Sequence, residues 1–170
     1  PKDAVPIATS PETGARTSSS TVILSTEEAH TIALMQCAAT YSCTETDCLE
    51  KVLTHIDSAT TRIYAILKTP APREFREHLR AAIARGVSVQ LILDAALNPK
   101  FYLEGAQIHT KNISNFVATN FVLVDNTSII VGEDPENYAV PPDTINVICK
   151  ENERIAFEKL FLRLWENETK

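Results

Sequence analysis

The chain has 170 residues, 44% hydrophobic and 22% charged, which suits one globular domain with a proper core. Its 16 Lys and Arg stand against 22 Asp and Glu, a formal net charge of −6, the reverse of the basic surplus that phosphate binding favours. No apolar run approaches the roughly 20 residues needed to span a bilayer, and the opening stretch PKDAVPIATS has no signal-peptide pattern.

Residues 1–22 hold Pro1, Pro6 and Pro11, many Ser and Thr and few large apolar groups, which predicts a disordered tail or linker. In STEEAHTIALMQCA, Ser25 and Glu28 form a capping box that predicts a helix over 26–38, an appendage occupying residues 23–40. The body is expected to fill 41–170. Leu49, Val52, Leu53 and Ile56 recur at helical spacing and lead into the strand RIYAIL. Pro72 then opens a second helix, whose face of Phe75, Leu79, Ala82 and Ile83 runs to a stop at Gly86. VSVQLILD, residues 87–94, alternates and then turns continuously apolar, as an interior strand does. AQIHT, NFVLVD, SIIVG and TINVIC are four further strands, and a helix over 152–165 carries Ile155, Leu160, Phe161, Leu164 and Trp165. Helices alternating with strands predict an α/β fold, a three-layer α-β-α sandwich on a mixed, mostly parallel sheet.

Cys37, Cys43, Cys48 and Cys149 form no CxxC pair, and His30, His55, His78 and His109 do not join them at metal-ligand spacing, so no metal or cofactor is expected. Cys149 ends an apolar run and reads as a core thiol. Cys48, at a helix start, reads as packed or bridged. Arg73, Arg76, Arg80 and Arg85 share one helix, a solvated face by default. Asn112, Asn126 and Asn167 head Asn-x-Ser/Thr triplets that occur by chance in any chain this long.

The order IDSATTRIYAIL, LRAAIARGVSVQLILD, LEGAQIH, NFVLVDNTSIIVG and FEKLFLRLWE resembles the phospholipase D superfamily over residues 41–167. It is most similar to the single-motif branch of bacterial phospholipase D-like endonucleases. That family carries HxKxxxxD and, further on, GSxN: a histidine nucleophile, a lysine and an asparagine on the phosphate, and an aspartate that orients the histidine. Placed on this chain, the aspartate is Asp125 and the glycine Gly132. The histidine position falls on Ala118, the lysine on Asn120, the serine on Glu133 and the asparagine on Pro135. Covalent phosphoryl transfer needs a nucleophile beside cations that stabilise the growing charge. Both are replaced, and Glu133 adds a carboxylate that repels phosphate.

The resemblance therefore implies a frame without its reactive groups: a catalytically inactive domain acting as a structural or protein-interaction module. Its expected partner is a protein, or a second copy through the motif face, with nucleic acid disfavoured. By analogy with exported relatives, the place expected is a bacterial periplasm or cell envelope, as an accessory part of an envelope or secretion assembly. The alternative is an active phosphodiesterase or nuclease with a displaced nucleophile, His109 being one candidate, or with a site completed by another chain.

Overall fold

The computed structural model describes residues 22–35, 39–42, 45–68, 70–96, 101–113, 120–132 and 144–167. The expected tail over 1–22 falls almost wholly outside them, as do Cys37, Cys43, Ala118, Glu133 and Pro135. In chain order the elements are α1 (Thr26–Met35), β1 (Ala39–Ser42), α2 (Glu45–Asp57), β2 (Arg62–Leu67) and α3 (Arg73–Ala84). There follow β3 (Ser88–Asp94), β4 (Gln107–Lys111), β5 (Phe121–Val124), β6 (Ser128–Gly132), β7 (Thr144–Ile148) and α4 (Glu151–Glu166).

The strands form one seven-stranded sheet in the order β1-β7-β6-β5-β2-β3-β4. β2 pairs in parallel with β3, and β3 with β4; the other four neighbouring pairs are antiparallel. Followed across the sheet, β1, β2, β3, β4 and β6 run one way while β5 and β7 run the other. The sheet is thus mixed, and mostly parallel by strand direction. β1 lies across the expected boundary at residue 40 and pairs with β7, so Ala39 and Thr40 of the segment read as an appendage belong to the sheet.

Period-2 alternation divides the apolar groups between two layers. On one face Leu53 and Ile56 of α2 and Phe75, Leu79 and Ala82 of α3 meet Ile63, Ala65, Val89, Leu91, Val122 and Val124. On the other, Ile66, Ile92, Phe121 and Leu123 meet Phe161 of α4. Each Val, Leu, Ile or Phe among them, fully buried, contributes about 1.5–3 kcal/mol. β5 is central and buried along its whole length, which is why it reads as an unbroken apolar run rather than an alternating one.

The helix ends are satisfied in ways only partly visible in the chain. Ser25 and Glu28 make the expected box: the Ser25 amide (3.2 Å) and hydroxyl (2.6 Å) donate to the Glu28 carboxylate, and the Glu28 amide donates to Ser25 Oγ at 3.4 Å. The Ser25 hydroxyl, and then its amide, hold the Glu28 carboxyl below its ordinary range. Arg85 turns back to the end of α2, donating to the carbonyls of Ile56 (3.3 Å), Asp57 (3.1 Å) and Ala59 (3.4 Å). The Ile56 carbonyl also accepts the Ala59 amide at 3.2 Å, so the exposed Arg85 adds a side-chain cap to the end of α2. Arg73 is paired with Glu77 at 2.7 Å on the exposed side of α3.

Candidate functional site

The carboxyl ends of β2 and β3, the start of β5 and the end of β6 lie along one edge of the sheet, the usual place for a site in an open α/β fold. There the Gly132 amide donates to the Asn120 carbonyl at 3.1 Å, which brings together the two positions that the resemblance assigns to the family's lysine and glycine. Both line a cavity of about 60 Å³ between the sheet and the first turns of α2 and α3. Its walls are Leu49 and Val52 of α2, the Pro70–Ala71–Pro72 segment, Phe75 of α3, and Leu67, Phe121, Val122, Ile130 and Ile145 of the strands. Asn120 is the one polar side chain among the described lining residues, and none of them titrates. Its Oδ1 accepts the Lys68 amide at 2.6 Å, so this side chain fastens the end of β2.

Asp125 is elsewhere. It follows the last residue of β5, whereas Asn120 precedes the first, so roughly 16 Å of strand separates them. Its carboxylate accepts from the amides of Thr60 (2.9 Å), Thr61 (2.8 Å) and Arg62 (2.8 Å) and from the Thr60 hydroxyl (2.9 Å). The Asp125 amide donates back to the Arg62 carbonyl at 2.9 Å. Asp125 takes φ 51, the left-handed region that Asp tolerates better than most residues and that a tight turn between β5 and β6 requires. Its carboxylate therefore locks the entry to β2 and does not reach the cavity.

His109 also stands apart. Its ring stacks on Trp165 of α4, centroids 3.8 Å apart at 6°, and Lys111 on the same strand face donates to the Leu164 and Asn167 carbonyls at the end of α4. The cavity lies on the α2–α3 side of the sheet, so β4 separates His109 from it. The alternative nucleophile considered from sequence does not face the site.

Cys149 is disulfide-bonded, as is Cys48, and no described cysteine is a free thiol; the core thiol expected at Cys149 is thus a bridge. Cys48 lies fully buried near the start of α2, next to the cavity-lining Leu49. Asn112, Asn126 and Asn167 are all exposed, and Asn126 accepts from Arg62 Nη2 at 2.6 Å. Arg62 also pairs with Glu158 at 2.5 Å, tying β2 to α4.

Two buried histidines carry no signal in the sequence. His55 is enclosed in α2, and burial pushes its pKa down to about 4. His78 Nδ1 lies 2.7 Å from Asp57 Oδ1, both groups buried, in the seam between α2 and α3. Their apolar neighbours at helical spacing mark the seam, but nothing in the chain pairs residues 21 positions apart.

This α-β-α layering and strand order define a phospholipase D-like nuclease fold. NucT from Helicobacter pylori superposes with a TM-score of 0.63 at 12% identity, over 75% of this chain and 94% of that one. Nuc from Salmonella typhimurium, a phospholipase D family member, superposes at 0.55 with 21% identity, over 67% of this chain and 84% of that one. TrmBL2, an archaeal chromatin protein whose structure is described as showing a novel mode of DNA binding, superposes at 0.59 with 12% identity over 75% of this chain. The chain spans only 51% of TrmBL2. No curated protein matches by sequence. Residues 41–167 match the family model described as Transcriptional regulator TrmB, EBD N-terminal subdomain, and the chain belongs to that family. The expectation against nucleic acid, drawn from the net charge of −6, is overturned by membership of a transcriptional-regulator family and by a DNA-binding protein among the fold neighbours. Net charge averages over a whole chain, and where a protein meets DNA depends on the local distribution of charge.

Proposed function

We propose that the chain is a non-hydrolytic regulatory module of a TrmB-type transcriptional regulator, a phospholipase D-like frame retained for what it binds and positions, in a protein that works on DNA. The apolar cavity at Asn120 and Gly132 carries this reading. A phosphodiester entering it would lose its hydration without meeting a cation or nucleophile among the described lining residues, a large cost with no compensation. The replacements Ala118, Asn120, Glu133 and Pro135 in the sequence point the same way. Losing the members of such a catalytic set costs many orders of magnitude in rate.

Two measurements test it. Purified protein should hydrolyse neither bis(p-nitrophenyl) phosphate nor single-stranded DNA above buffer; turnover that co-elutes with the protein and changes on Asn120→Ala ends the non-hydrolytic half. The protein recovered from its own cells should carry chromosomal DNA that raised salt releases. Recovery free of DNA at low salt ends the regulatory half.

A second reading places the protein in an oxidising compartment such as the periplasm. The disulfide-bonded Cys48 and Cys149 favour it, since such bridges persist mainly outside the cytosol and in hyperthermophiles. Alkylating lysed cells before unfolding, then counting blocked thiols by mass, decides it: labelled Cys48 and Cys149 remove that support.

A further inference from the structure

The described segment ahead of the family match, residues 22–35, packs on α2 with some of its apolar side chains in solvent. Of α1, Ala29 and Ala33 are buried, whereas Val22 is 74% exposed, Ile23 45% and Ile32 38%. The Ala29 and Ala33 methyls each contribute little on burial, and Leu24 is half-buried. A polar contact stands beside them: the Leu24 amide, one residue before the cap of α1, donates at 2.9 Å to Asp57 Oδ2. Asp57 is 1% exposed, and its other oxygen is occupied by His78 Nδ1 at 2.7 Å. A buried carboxylate with both oxygens engaged is fixed in orientation, and a hydrogen bond to such a group is stronger than one between neutral partners. α1 needs no help from the body at its N-terminus, because the Ser25–Glu28 box closes it.

We infer that residues 22–35 are a releasable strap, clasped to the α/β body by the Leu24 amide on Asp57, with His78 as the positioning residue that holds Asp57 in place. The strap opens and closes as a unit while the sheet stays folded. This goes beyond the regulatory reading of the cavity and does not depend on it.

Native-state hydrogen exchange of the whole chain, read amide by amide, tests the clasp. In the wild type, the hydrogen-bonded amides of α1 should exchange faster than those of β2, β3 and β5, through opening of the strap alone. Leu24→Pro removes the donor without touching the body; α1 protection should fall roughly ten- to hundredfold with sheet protection unchanged, as loss of a hydrogen bond to a charged group predicts. Leu24→Ala keeps the amide and should leave α1 protected. Asp57→Leu removes the acceptor and should open α1 in the same way, whatever it does to overall stability. The inference fails if α1 protection is unchanged in Leu24→Pro, since apolar packing on α2 would then hold the helix. It fails equally if α1 and the sheet exchange together in the wild type, since no separable strap would exist.

Discussion

Asp125 stands 65 positions from Thr60 in the chain, yet its carboxylate takes both the backbone N–H and the hydroxyl of Thr60, each at 2.9 Å. Two more amides, from Thr61 and Arg62, complete its partners. Asp125→Ala leaves three amides without their acceptor and also places alanine at φ 51. The expected loss is about 2–4 kcal/mol, measured as a lower urea midpoint with an unchanged slope. Asp125→Asn tolerates the same φ and keeps one oxygen, so it should lose less than half as much. A loss below about 0.5 kcal/mol in Asp125→Ala would mean that the carboxylate pairing contributes little.

Acid should act on stability through His55. Its folded pKa of about 4 lies below the ordinary value of 6.5, so between those pH values the unfolded chain binds a proton that the folded chain does not. Stability is therefore unaffected above pH 6.5 and falls as pH drops from 6.5 towards 4, by on the order of 3 kcal/mol in total. His55→Gln cannot titrate and should flatten that part of the melting temperature against pH curve; an unchanged slope would assign the acid sensitivity to other groups.

Two glycines with positive φ should respond differently to alanine. Gly86 (φ +90) has nothing within 4 Å of an added Cβ, so Gly86→Ala meets only the left-handed penalty, about 1 kcal/mol. At Gly105 (φ +84) the same Cβ would lie 2.7 Å from Ile83 Cγ2. Gly105→Ala should cost roughly 1–2 kcal/mol more. Pairing it with Ile83→Ala, which removes the clashing group, should restore part of the difference in chemical denaturation.

Restoring one catalytic residue type should not restore catalysis. Asn120→Lys places an ammonium against an apolar wall and removes the acceptor for the Lys68 amide. A melting temperature several degrees lower, with hydrolysis of bis(p-nitrophenyl) phosphate still at background, is expected. A gain of turnover would show that the cavity can still take a phosphoryl group.

The sequence by itself determined every element except β1, and their layering. Apolar spacing in 49–56, 75–83 and 87–94 has one stable solution, helices laid on a sheet, and the capping box at Ser25 and Glu28 is local enough to read directly. β1 escaped notice because four residues with no strong alternation become a strand only when β7 lies alongside. The site needed the folded chain too: Asp125 and Asn120 look like members of one motif until the length of β5 sets them at opposite ends. Asp57 and His78, on different helices, meet only because α2 and α3 pack in one layer. Local preferences act over a few residues and leave their mark in the chain, whereas contacts across strands and helices exist only after the layers have closed.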